Sequence, residues 1–269
     1  MRNHFIKFAA LLMLVTVPLF FSCSDTPSNP IKQQPPVVPP QSTMVMDFSQ
    51  FTQTSLAKTD SKDNWLWAVG NVAFWNTAIT VTMAVPVAAF AASFGNEPVL
   101  QPDGSWLWSY NFNVGPLQYT ASLYGKVGLD GITWDMFITL HGVFTDFHWF
   151  TGKSDLLATS GYWTMNLRPM DPMPFLQIDW SRDIQSQALE VIYTNIVPDG
   201  DENGSYIRQA FNQELPFTGM FDVYRVTKEN LVEIKWNRQT LEGRIKDPAH
   251  FADDAWHCWD SNLNDTECE

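Results

Sequence analysis

Cysteine is nearly missing from this chain, with three residues in 269, which excludes a small fold framed by several disulfides and a thiolate-rich metal scaffold. Basic side chains are also few: 16 Lys and Arg stand against 29 Asp and Glu, for a net charge of −13 at pH 7. Nucleic acid and anionic lipid headgroups reward positive surface, so both are poor partners for this composition. The sequence carries no Gly-x-Ser-x-Gly elbow, no phosphate loop and no His-Glu-x-x-His helix. Each cysteine has a fate other than nucleophile, so catalysis has no positive signal. A further absence is local: the 33 residues from Asn64 to Asn96 contain no charged side chain.

The first of the three cysteines, Cys23, follows Arg2 and Lys7, an apolar stretch from Phe8 to Phe21, and Ser22. A positive start, a short apolar run and a small residue at the cut make a secretory signal. Because a cysteine directly follows the cut, the segment resembles the signals of bacterial lipoproteins, with Phe20 and Phe21 where that family usually has Leu and a small residue. The resemblance implies cleavage after residue 22, lipidation of the Cys23 thiol, and an extracytoplasmic protein held to the membrane by a lipid anchor. An outer membrane is the expected place, on its periplasmic face or at the cell surface.

Residues 23–46 read as the lipidated cysteine and a spacer. Pro27, Pro30, Pro35, Pro36, Pro39 and Pro40 lie among Ser, Gln and Asn, a composition that favours extended chain over a packed core. The charge-free run then predicts an apolar helix over about residues 66–94, with Pro86 as a kink or break. Apolar residues occur all round it, so three readings stay open: a helix wrapped by the rest of the domain, a second membrane segment, or two apolar strands.

Beyond Asn96 the period changes to two. Trp106, Trp108, Tyr110, Phe112 and Val114 share one face, and Ile132, Trp134, Met136, Ile138 and Leu140 share another. Similar segments recur to residue 245, separated by turn formers such as Asp103-Gly104 and Asp130-Gly131. The expected fold is mainly β: an antiparallel meander of about ten strands, curled into a half-barrel or barrel, with the apolar helix on its concave face. The β domain is expected over 47–257, followed by an acidic tail, 258–269, closed by a Cys258–Cys268 disulfide, since an exported chain with one remaining cysteine pair reads as bridged.

Two acidic loops suggest calcium. Asp199, Asp201 and Asn203 match the first half of a calcium loop, although Ala210 stands where an EF-hand needs its Glu. In the tail, Asp260, Asn262 and Asn264 are spaced as in the short calcium repeats of thrombospondin type 3, which they resemble, with Asp265 in place of the usual Gly. On a helix starting at Pro248 with Asp247 as cap, His250, Asp253, Asp254 and His257 would share a face that could hold zinc. Asp135, His141, Asp146 and His148 lie on neighbouring strands and could form an acid/base pair. Trp106, Trp108, Trp134, Trp149, Trp163 and Trp180 could stack on sugars, line an apolar pocket or simply form the core.

The leading reading is a membrane-anchored, non-enzymatic binding or structural lipoprotein for an apolar ligand, since a curled sheet enclosing apolar space looks like the lipoprotein carriers and lipocalins. Its partners would be the membrane through the anchor, and a lipid, a glycan or an envelope protein. The alternatives are a calcium-stabilised carbohydrate-binding surface protein and a hydrolase using the Asp and His side chains on the strands.

Overall fold

The alternating segments pair with their sequence neighbours throughout, giving one antiparallel sheet of 14 strands in sequential order. The strands are β1 (Val99–Leu100), β2 (Trp106–Val114), β3 (Leu117–Gly128), β4 (Gly131–Leu140), β5 (Phe144–Ser154), β6 (Ser160–Arg168) and β7 (Asp171–Arg182). They continue as β8 (Leu189–Asn195), β9 (Tyr206–Phe211), β10 (Gly219–Arg225), β11 (Asn230–Trp236), β12 (Gly243–Lys246), β13 (His257–Trp259) and β14 (Asp265–Thr266). This computed structural model describes residues 33–51 and 61–268; the signal segment and Cys23 lie outside the described residues. Among the described residues β1 and β14 each pair with a single neighbour, so the sheet is not closed into a barrel. Residues from Pro35 onward form one unit.

The two faces sort as the period-two pattern predicts. Trp108, Tyr110 and Phe112 on β2, Leu123 on β3, Trp134, Met136 and Ile138 on β4, and Trp163 and Met165 on β6 are buried. The intervening side chains point to the other face. Of the six tryptophans that could have been sugar platforms, Trp108, Trp134, Trp149, Trp163 and Trp180 are core.

A second pattern emerges only from the register. Trp134 on β4 is paired with Gly125 on β3 and Gly152 on β5; Trp163 faces Gly152, Trp180 faces Gly161, and Trp236 lies between Gly219 and Gly243. The missing Cβ leaves room for the indole to lie across the neighbouring strand: a Cβ on Gly125 would meet Trp134 at 2.7 Å, and one on Gly219 would meet Trp236 at the same distance. Glycine in a strand interior weakens the strand by itself, and an aromatic laid over it restores the packing.

The charge-free run forms one helix, α1 (Asp63–Ser93), which passes through Pro86 without ending there. Its buried residues, Trp65, Ala68, Val69, Val72, Met83, Pro86, Ala89, Phe90 and Ser93, recur at helical spacing and define a single face. One end packs on the late strands, with Trp65 5.5 Å from Trp259 between ring centroids. The other packs on the early ones: the Tyr110 hydroxyl donates to the Ala89 carbonyl (2.7 Å) and Phe90 lies 5.3 Å from Trp163. The wrapped-helix reading is therefore corrected, because the opposite face is open: Phe74 is 66% exposed and Val81 77%. By length and composition α1 is also long and apolar enough to cross a membrane.

The expected spacer boundary at residue 46 also shifts. Pro39, Thr43, Met44 and Met46 are buried in the body, and residues 36–51 run as a strap over the same face of the sheet as α1. The Tyr193 hydroxyl donates to the Met44 carbonyl (2.7 Å) and accepts from the Met46 amide (3.2 Å). Gln209 brackets Asp47 by accepting from its amide and donating to its carbonyl. Phe51 fits among Trp65, Phe221 and Trp236. Burial and these bonds together outweigh the extended, solvated state that the proline content favours.

Candidate functional site

The middle of α1 does not lie flat on the sheet, and apolar recesses open along both its flanks. On one flank Phe74, Trp75, Ala78 and Ile79 face Phe175 and Leu176 of β7 and Val197 beyond β8, around a cavity of about 240 Å³. Asn195, Glu202, Ser205 and Arg225 line the same cavity. On the other flank Ile79, Met83 and Val87 face Met44, Met46, Phe48 and Tyr193 around a cavity of about 370 Å³. These sit at and just below the small end of the range for ligand pockets, and their walls are the apolar surfaces such pockets favour. Tyr193 belongs to the wall: its hydroxyl is held by the Met44 and Met46 backbone, and burial pushes its phenol above the ordinary tyrosine range.

Glu202 is the site residue that sequence reasoning missed. It follows Asp201 in the loop before β9, and its carboxylate accepts from the Ser205 hydroxyl (2.5 Å), the Thr227 hydroxyl (2.6 Å) and Arg225 (2.8 Å). Ser205, Thr227 and Arg225, in that order, hold its carboxyl down to about 2, from an ordinary value of 4.5. Ser205 is close enough in sequence to suggest a turn, but Arg225 and Thr227 arrive through the β9–β10 pairing, which the sequence does not display. Because the folded value lies below the unfolded one, the carboxylate stabilises the fold above the unfolded value, and that contribution is lost as pH falls from about 4.5 towards 2. The difference in thermal midpoint between the native chain and Glu202→Gln should therefore be constant above about pH 5 and shrink towards zero near pH 2.

Several of the residues named from sequence bond within the protein. In the loop of Asp199, Asp201 and Asn203, the Asn203 amide side chain donates to the Val197 carbonyl (2.9 Å) and Asp199 takes a left-handed backbone, as a tight turn requires. In the tail, Asp260 accepts from the amides of Asn262 (2.8 Å) and Asn264 (2.9 Å), so it closes a turn with its own backbone. Among the described residues no three His, Cys, Asp or Glu side chains come together as metal ligands. Cys258 and Cys268 are at disulfide distance, with sulfurs 2.07 Å apart.

The proposed zinc face fails for a backbone reason. Asp247 does cap the helix, accepting from the Ala249 and His250 amides, but α2 (Pro248–Phe251) ends after four residues at left-handed Ala252. His257 is thereby placed on β13, against Phe251 and Asp253, while His250 stacks on Trp67. Of the four strand residues, Asp135 and His148 meet, with His148 Nε2 2.8 Å from Asp135 Oδ1. His141 instead contacts Thr120 (3.2 Å), and Asp146 accepts from the Thr139 hydroxyl (3.1 Å). This group lies on the face of the sheet opposite α1.

Comparison with family models, with curated proteins and with solved structures finds no match for this chain.

Proposed function

We propose that this chain is an extracytoplasmic lipoprotein, anchored through Cys23, that binds the apolar part of a ligand beside α1 and performs no chemistry on it. In this reading the sheet curls about α1 as a half-barrel, which is supported by the contacts of one helix with strands near both ends of the sheet. The observation that carries the reading is the pair of apolar recesses flanking a helix whose uncharged outer face exposes Phe74 and Val81. Contiguous apolar surface exposed to water is costly, and it usually marks an interaction site. The recesses are small, so the ligand is a single acyl chain or a comparable slender group and not a bulky lipid enclosed whole. The strap and α1 occupy the space that an open carrier would leave empty.

Titration of the full-length chain with cis-parinaric acid, which fluoresces in apolar surroundings, tests this. Fluorescence should rise and saturate with the native chain. In the double variant Ala78→Trp/Ala84→Trp, which fills the recess against Phe175 and Leu176 and the one against Met44 and Tyr193, the affinity should fall tenfold or more, about 1.4 kcal/mol. No saturable signal, or equal binding by both proteins, would overturn the reading.

A further inference from the structure

On the face of the sheet turned away from α1, the early strands form a cleft that neither the core nor the apolar recesses use. Its volume is about 740 Å³, and Ser122, Tyr124, Thr133, Asp135 and Phe137 are among the residues that line it, with Asp103 and Asp146 at its margins. The partners of these side chains on the inner face, Leu123, Trp134 and Met136, already supply the core. The outward aromatics form a second, organised cluster outside that core. Tyr124 meets Phe137 edge to face at 5.9 Å, and His148 lies parallel to Phe137 at 4.6 Å while bonding Asp135.

The polar groups around this aromatic floor are fixed as well. Asp103 accepts from Ser105 (2.6 Å) and from Lys126 (3.2 Å). Asp146 is held in a left-handed backbone, its amide donating to Thr139 Oγ1 (2.8 Å), where the β4–β5 pairing shifts register on both sides of Phe137 and Ile138. Such irregularities in a sheet re-aim side chains and cluster at binding sites. Three carboxylates against Lys126 and His148 make the cleft unsuited to phosphate, sulfate or uronate. A ligand for it needs an apolar face for the rings and several hydroxyls for the carboxylates, Ser122 and Thr133. A neutral hexopyranose has both, C–H groups on one face and donors around its edge.

We propose that this outer cleft is a glycan-binding site, in which the Tyr124 ring, braced edge to face by Phe137, supports the apolar face of a neutral sugar while Asp135, oriented by His148, accepts from its hydroxyls. The inference is independent of the apolar recesses, which lie on the other face of the sheet. The anchored chain would then hold two unlike ligands, an apolar group on one side and a glycan on the other.

Saturation-transfer NMR on the full-length chain in a sugar-free detergent, with maltotriose, cellotriose and chitotriose as probes and spermidine as the cationic comparison, tests it. At least one trisaccharide should bind with a Kd on the order of 1 mM or tighter, and transfer should be strongest to the protons of one ring face. Affinity should drop tenfold or more in Tyr124→Ala and in Asp135→Asn. Thr133→Arg, an exposed change that blocks the cleft without touching the core, should abolish binding and leave the thermal midpoint within a degree or two of native. Transfer to spermidine alone, transfer to none of the sugars, or sugar binding that survives Thr133→Arg would each overturn the proposal.

Discussion

Gly152→Ala is expected to remove a large part of the stability of this fold. A Cβ there would stand 2.3 Å from Trp163 Cε3 and 2.6 Å from the Tyr162 carbonyl oxygen. The indole cannot step aside: it is fully buried, packed by Phe90 at 5.3 Å and Phe150 at 5.4 Å, with its Nε1 donating to Thr43 of the strap. The carbonyl cannot move either, because it belongs to β6, the strand paired with Gly152. Overpacking typically costs about 1 to 3 kcal/mol, and with a backbone clash added the loss should reach about 3 to 5 kcal/mol, a large part of the stability of an ordinary domain. Gly219→Ala, whose clashes are with the side chains of Trp236 and Arg238, should lose less. Gly70→Ala, with nothing within 4 Å of its Cβ, should gain about 0.5 to 1 kcal/mol from helix propensity. Urea midpoints for the three variants give the order directly. Similar losses at Gly152 and Gly70 would remove the stacked Trp and Gly pairs as an organising device.

Replacing Cys258 and Cys268 together by Ser should cost about 3 kcal/mol by loop-closure entropy, for a bridge spanning ten positions, and should also loosen the distant start of α1. That helix begins at Asp63, and its N-cap residue, Lys62, supplies no side-chain cap. The acceptor comes from the tail: Asp265 on β14 takes the amides of Asp63 (3.1 Å) and Asn64 (3.0 Å), and its own amide donates to Ser61. Asn64 reaches back to the Cys258 carbonyl (2.9 Å) and Lys62 to that of Asn262 (2.8 Å). A carboxylate at a helix start also faces the positive end of the helix dipole. Hydrogen exchange at the Asp63 and Asn64 amides should therefore accelerate in the double variant. Asp265→Ala should give the same local effect with a smaller global loss, of about 1 kcal/mol. Unchanged protection at these amides after loss of the bridge would show that the tail does not hold the helix.

Much of the sheet was legible because buried and less buried residues alternate without interruption over 107–113 in β2, 118–126 in β3 and 132–138 in β4. The helix was legible as a helix from its length and its alanines. Its surroundings were not, since a missing polar face says that α1 avoids water and not what shields it: the sheet covers one side and leaves Phe74 and Val81 exposed. The strap was hidden by the prolines before it, although Met44, Met46 and Phe48 alternate as a buried extended segment does. The paired Trp and Gly residues needed the strand register, which a single sequence does not contain. Asp135 and His148 were named together, but the outer cleft depends on Tyr124 and Phe137, ordinary strand residues by pattern whose outward direction follows from the burial of Leu123 and Met136. The tail acids drew attention as calcium ligands because their spacing is visible in sequence, whereas Asp265 meets its partners some two hundred residues away.

The central claim, that the space beside α1 holds an apolar ligand, is tested most directly by a native mass spectrum of the full-length chain purified from membranes without added ligand. The account predicts a retained adduct of lipid mass, beyond the covalent anchor, that is lost in Ala78→Trp/Ala84→Trp, where both recesses are filled. A bare chain, or an adduct that the double variant retains in full, would contradict it.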